Sequence, residues 1–377
     1  MQKKIIALAV AGLASTAAFA QTNVTVYGVV DLGEAYVAAS GTGSSHASVL
    51  RLDSNSTYLG FKGVEDLGNG LKALFQLETG YSPDSGAGFG ASRDSFVGLT
   101  GGFGTVVAGT LTHPLRAMGA KVELMPGATG LGLSMATTGK ILGMNTGADE
   151  RANNAIAYVS PSFSGFSATV AYINGHNAGA TGTIQETRSV TAGAVAQPRA
   201  YQLAAQYDNG PLFVGAGYHR VVEAGTSGAA FPVAGNGEST YVARAAAVYT
   251  FPSATKLTAL VDKTSADMTT NTGHANRLAY SLGVSQGFGK NTVGLAYGHS
   301  NRVKTNGVTV ANSSSSIVSA IYTYDLSKRT MIHARLSRLS NGDGINTNFY
   351  INPVANGLTT ANGTDYTGAM VGLRHVF

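Results

Sequence analysis

The residue types that could carry covalent chemistry are present, but no spacing brings them together. Eight histidines are scattered over 377 residues, none at the His-x-Glu or His-x-x-x-His spacing of a metal site and none in a recognisable set with serine and aspartate. Asp149 and Glu150 are adjacent in sequence, which does not make an acid/base pair. Gly101-Gly102-Phe103-Gly104 lacks the lysine and following helix of a phosphate loop. The absence of cysteine removes thiol chemistry, disulfides and structural Cys-metal sites. What remains is a set of isolated charges: Asp31, Lys62, Lys72, Glu78 and Arg93, and further on Arg116, Lys121 and Glu123. Charges in such an arrangement act through their fields and make no bonds.

Each of the first five sits in a segment that alternates. In 24–37, Val24, Val26, Val30 and Leu32 share one parity and Thr25, Tyr27 and Asp31 the other. In 71–79, Leu71, Ala73, Phe75, Leu77 and Thr79 oppose Lys72, Leu74, Gln76 and Glu78. Period two is the mark of a strand with two different faces. Sixteen such segments follow one another, at 24–37, 50–64, 71–79, 91–100, 103–110, 152–160, 166–174, 199–208, 212–221, 240–250, 255–264, 275–286, 292–301, 314–325, 330–339 and 365–377. Tight turns alternate with long polar connections. That regularity, with an even strand count, predicts an all-β, 16-stranded antiparallel transmembrane β-barrel with short turns on one rim and long loops on the other. The last segment is expected to close the sheet by pairing with the first. Within it Tyr366, Met370 and Val376 read as the apolar face, interrupted by Arg374.

Composition agrees. Only 12% of residues are charged, against about a quarter in a soluble domain, and there are 50 glycines and no tryptophan. Residues 1–20 read as an export signal: Lys3 and Lys4, an apolar run over 5–13, then Ala18-Phe19-Ala20, leaving 21–377 as one barrel domain. That apolar run is too short for a membrane helix, and no later stretch approaches eighteen apolar residues. The formal charge of +5 falls to +3 when the two signal lysines are subtracted, with no basic block to bind nucleic acid. A mild positive excess in a confined lumen favours anions.

Sixteen strands enclose water, so polar inward positions are expected; Asp31, Lys62, Lys72, Glu78 and Arg93 are the candidates. The longest connection, 111–151, is poor in polar residues for a solvated loop. It is expected to fold inward and narrow the lumen, bringing His113, Arg116, Lys121, Glu123, Asp149 and Glu150 to the constriction. Aromatic residues near strand ends, among them Tyr158, Phe96 and Phe166, read as interface girdles.

Several blocks resemble the general porins of beta-proteobacteria: Val26-Tyr27-Gly28-Val29-Val30-Asp31, the run from Leu59-Gly60-Phe61-Lys62-Gly63-Val64-Glu65-Asp66-Leu67-Gly68-Asn69-Gly70 to Glu78, Arg93-Asp94-Ser95-Phe96, Asn154-Ala155-Ile156-Ala157-Tyr158, and the end Val371-Gly372-Leu373-Arg374-His375-Val376-Phe377. The resemblance implies a homotrimer in the outer membrane, in contact with lipid and lipopolysaccharide, passing ions and small hydrophilic solutes with no cofactor. It also implies that Arg93 occupies a lumen-arginine position and that Phe377 is the signal read by the outer-membrane assembly machinery. Tyr58, Thr110, Ala157 and Val159 stand where such porins often carry charge, so part of the basic ladder is missing and the anion preference implied is mild. An outer-membrane hydrolase and a surface receptor are the rival readings.

Overall fold

The alternating segments form the strands of one closed sheet. The computed structural model describes residues 24–90, 92–141, 144–174, 189–191, 194–196, 199–222, 239–268, 273–354 and 361–377. The export signal expected over 1–20 lies outside these residues, as do most of the connections at 179–196 and 223–239. Sixteen wall strands run in chain order: β1 (Thr25–Gly41), β2 (in two segments, Ser48–Ser54 and Tyr58–Gly68), β3 (Leu71–Gly80), β4 (Ser92–Gly101), β5 (Gly104–Thr112), β6 (Arg151–Val159), β7 (Phe166–Asn174) and β8 (Arg199–Asn209) make the first half. The second half is β9 (Leu212–Val222), β10 (Ser239–Thr250), β11 (Thr255–Met268), β12 (Gly273–Phe288), β13 (Asn291–Ser300), β14 (Ser315–Asp325), β15 (Thr330–Asn341) and β16 (Thr364–Val376).

Every pairing in the wall is antiparallel and, apart from the one that closes the ring, joins neighbours in sequence. Closure comes from β16 against β1, in register from Val29 opposite Val376 to Gly41 opposite Thr364. Phe377 adds a last rung: its N–H donates to Gly28 O and its carbonyl accepts from Gly28 N, both at 3.1 Å. With no edge left, every backbone polar group of the wall can be satisfied inside the sheet, which is what immersion in hydrocarbon demands. The outward positions are apolar and exposed, for example Val30, Phe61, Leu77, Val97, Ile156 and Leu203.

Two inward faces differ from the sequence reading. On β16, Tyr366 and Met370 point into the barrel and are buried there, while Val371 and Leu373 form the lipid face. The assignment was inverted because loop residues, and not water, cover that part of the inner wall; the parity is also the one that puts Arg374 inside, beside Asp31. Phe96 likewise packs inward against Val107, Ala155 and Ala157, not in a girdle.

Candidate pore constriction

The third external loop, 113–150, turns into the barrel. It opens with α1 (Pro114–Val122), which has proline in its first turn, where the missing N–H costs nothing. Leu115, Met118, Gly119 and Val122, at i, i+3, i+4 and i+7, form its buried stripe against the wall. Ala117, Ala120 and Lys121 face the open lumen, with Arg116 half-buried beside them. Single-turn helices at Pro126–Ala128 and Ser134–Thr137 carry the chain onward along the wall, and His113 N–H closes the loop on Glu150 O at 3.2 Å.

Glycines in the wall make room for this loop. A Cβ added at Gly368 would lie 2.7 Å from the Leu131 side chain, one at Gly217 2.8 Å from Leu115, and one at Gly283 3.2 Å from Leu124. Glycine inside a strand weakens it, so its presence here is explained by close approach of another segment.

Buried arginines from the wall hold the loop down. Arg244 is fully buried and donates to Asp149 and Asp262 at 2.8 Å each and to Leu115 O at 3.0 Å. Asp262 in turn accepts Gly139 N–H at 2.9 Å. Arg277 donates to Thr137 O at 2.8 Å and to Ser300, and Arg335 donates to Thr129 O. Each replaces water at a loop carbonyl with a charge-assisted hydrogen bond. None of these arginines was singled out from the sequence. Their signal was a lone arginine at the inward parity of an otherwise apolar strand, as in Ala243-Arg244-Ala245.

The candidate residues fall into two groups. Asp31, Glu123, Asp149 and His113 are buried scaffold. Asp31 binds Asn55 Nδ2 at 2.8 Å, His333 at 3.0 Å and Arg374 at 3.1 Å. The break between the halves of β2 is what lets Asn55 and Thr57 turn onto Asp31. Glu123 lies within the loop, accepting Ser134 Oγ at 2.9 Å, Ser134 N at 3.2 Å and Met135 N at 2.6 Å. Burial outweighs those bonds and pushes its carboxyl up to about 7. His113 Nδ1 lies 2.7 Å from Gly147 O.

The second group borders the water. Arg93 pairs with Glu78 at 3.2 Å and lies over the Tyr58 ring, 4.2 Å from its centroid, while Glu78 also accepts the Tyr27 hydroxyl at 2.9 Å. Arg151 pairs with Asp94 at 3.2 Å, and exposed Lys121 pairs with Asp208 near the turn-side end of β8. Lys62 is exposed over the Tyr27 ring, 4.9 Å from its centroid. Arg116 donates to Asp149 O at 2.7 Å and to the Tyr350 hydroxyl at 3.0 Å, both neutral acceptors. Lys72 is exposed near the turn-side end of β3, opposite Asp66 and Thr100. Burial brings the nearby Lys140 ammonium down to about 8.

These features meet in one geometry: an edgeless wall of strand-length hydrophobic exterior, an inward third loop, and charges lining the remaining gap. A family model described as Gram-negative porin matches residues 7–344. The chain belongs to the Gram-negative porins. Across its whole length this porin is 33% identical to outer membrane porin protein 32 of Delftia acidovorans, covering all of both chains. It is 38% identical over 188 residues to major outer membrane protein P.IB of Neisseria gonorrhoeae, covering 48% of this chain and 51% of that one. Among solved structures it resembles an anion-selective porin from Comamonas acidovorans, with a TM-score of 0.74 and 29% identity over 95% of this chain and all of the other. OmpT of Vibrio cholerae shares the fold at a TM-score of 0.66 and 13% identity over 94% of this chain and 99% of the other. The porin is therefore an outer-membrane channel protein and not an enzyme.

One hydrogen-bonded set does resemble a hydrolase triad, contrary to the sequence reading. Ser265 Oγ lies 2.5 Å from His274 Nε2, and His274 Nδ1 lies 3.1 Å from Asp267. Ser265 is fully buried, however, and its hydroxyl also reaches Ala275 O at 3.3 Å. It ties the outer ends of β11 and β12 together and offers no accessible nucleophile.

Proposed function

We propose that this porin is a passive diffusion channel with a mild preference for small anions. The observation that carries the reading is an asymmetry in how the charges at the constriction are held. Of the carboxylates there, Asp31, Glu78, Glu123 and Asp149 are buried, Asp31, Glu78 and Asp149 each have an arginine bound to them, and half-buried Asp94 is paired with Arg151, which leaves half-buried Glu150 as the exception. Among the described residues, Lys62 and Arg116 instead reach the water with neutral partners. A permeating ion in a narrow, low-dielectric gap therefore meets more free positive charge than negative, which favours anions and screens cations. The Comamonas relative, whose name states anion selectivity, supports the same reading. Asp31 and Glu123 act by holding the wall and the loop in place, Lys62, Arg93, Arg116 and Lys121 by charge, and Lys72 at the turn-side mouth, with Glu78 setting the position of Arg93.

A homotrimer fits one further feature. The wall is low from β4 to β7, at 9–10 residues per strand against 14–16 in β11 and β12. On its outer face there Ser95, Thr110 and Asn154 line a depression of about 570 Å³. Polar groups at that depth are better matched by a neighbouring protein than by acyl chains. Phe377, seated on the first strand, is the proposed recognition residue for assembly, and lipopolysaccharide the outer-leaflet neighbour. The test of the pore is solute release: proteoliposomes holding the purified trimer should swell in monosaccharide and lag with larger oligosaccharides. Vesicles that stay osmotically tight to all of them would refute a diffusion channel.

A further inference from the structure

The last external loop, between β15 and β16, also enters the barrel. Phe349 and Val354 are buried in one cluster with Leu131 and Ala136 of the third loop and with the inward faces of β1, β14, β15 and β16. Phe349 lies beside Tyr366, with ring centroids 6.1 Å apart. The loop has its own frame: Asn348 Oδ1 accepts from Phe349 N at 2.8 Å and Val354 N at 3.0 Å, while Asn348 Nδ2 donates to Val354 O at 2.9 Å. This closes the turn that carries Tyr350.

The turn is tied on two sides. Toward β2, Arg51 donates to Pro353 O at 3.1 Å and to Asn352 O, and is held by Asp53 at 2.9 Å; Asn352 Nδ2 donates to Ser54 O at 3.1 Å. Toward the third loop, the Tyr350 hydroxyl accepts from Arg116 Nη1 at 3.0 Å and donates to Asp149 O. Its ring centroid is 5.7 Å from the Arg116 guanidinium carbon and 5.7 Å from Lys140 Nζ. A polar chain thus runs from the rim of β2, through the last loop, to the free cation of the constriction.

We infer that Tyr350 is the positioning residue for Arg116, so that the last external loop, anchored by Arg51, sets the charge preference of the pore. This rests on the anion-channel reading above and extends it to a residue that touches no permeant. Arg116 has four single bonds between backbone and guanidinium. Of its two hydrogen bonds at the tip, one goes to the hydroxyl itself and the other to Asp149 O, the same carbonyl to which the hydroxyl donates, so the hydroxyl fixes the second point that sets its aim. Without it the guanidinium keeps only the Asp149 O bond and can pivot toward Glu150, a half-buried carboxylate that already feels its charge and whose carboxyl is raised by burial. Pairing there would neutralise the free charge. The aromatic ring is needed for packing, the hydroxyl only for aim.

The test is a double-mutant cycle read as the anion-to-cation permeability ratio from reversal potentials of the purified trimer in planar bilayers. Tyr350→Phe keeps the ring and is expected to lower the ratio by about two- to threefold, the scale of one displaced charge in a partly screened gap. Arg116→Gln is expected to lower it by at least as much. In the Arg116→Gln background, Tyr350→Phe should change nothing further, because its effect passes through Arg116. Arg51→Ala, which releases the far anchor, should reproduce part of the Tyr350→Phe shift. An unchanged ratio in Tyr350→Phe, or an equal shift in both backgrounds, overturns the inference. Wild-type protein that conducts with no anion preference would instead refute the anion-selective reading beneath it, whatever the variants do.

Discussion

Replacing Arg244 by alanine should release the third loop from the wall. The side chain is fully buried and makes two hydrogen bonds to Asp149, one to Asp262 and one to Leu115 O. Truncation leaves two carboxylates in a dry site without their cation, which costs about 3–5 kcal/mol when a buried pair loses one partner. The strands of the wall keep their ladders, so the cost falls on the loop that Asp149 belongs to. At about 1.4 kcal/mol per tenfold, the population of displaced loop rises by roughly two to four powers of ten. The assay is single-channel recording together with trypsin treatment, since Arg116, Lys121 and Lys140 all lie in the loop. The variant is expected to show larger, noisier steps and new cleavage within 113–150, with barrel assembly retained. Arg244→Lys should fall between, because lysine supplies the charge without the two-pronged contact. Wild-type conductance and protease resistance in the alanine variant, with the barrel folded, would show that these ion pairs do not hold the loop.

Three other outcomes follow from the same contacts. The Glu123 carboxyl, raised to about 7 in the packed loop against 4.5 ordinarily, binds its proton more tightly when buried. Packing is therefore fully favoured below about 4.5 and loses up to about 3 kcal/mol as pH rises through 7. Hydrogen exchange of the 123–135 amides should quicken between pH 5 and 8 beyond its intrinsic rate, and Glu123→Gln should abolish that excess. Gly368→Val places methyl groups where Leu131 sits, so it should displace the loop and raise conductance, whereas the same change at exposed Gly102, which touches nothing, should not. Gly28→Val collides with the Phe377 ring and should lower the temperature at which the folded barrel denatures on electrophoresis.

The wall was readable because its physics is local. Period-two alternation and turns such as Asn69-Gly70 belong to single segments, and all sixteen strands were found within a few residues of their ends. Inward and outward faces were readable only where water fills the inside. At Tyr366 and Met370 the inner surface is covered by two loops, so an apolar residue there says nothing about lipid. The inward third loop was expected from its length and composition, yet its helix was missed although Pro114 and the 115, 118, 119, 122 spacing announced it. Arg244, Arg277, Arg335 and Tyr350 were missed because each works through a partner more than a hundred residues away in sequence, beyond the reach of any local pattern.

The most direct measurement is the zero-current potential of the wild-type protein across a planar bilayer bearing a tenfold gradient of potassium chloride. A water-filled barrel whose free constriction charges are Lys62 and Arg116 should give ohmic steps and a potential whose sign reports chloride crossing faster than potassium. Steps with the opposite sign, or a bilayer that stays silent with folded protein in it, would contradict the placement of charge in the pore or the pore itself.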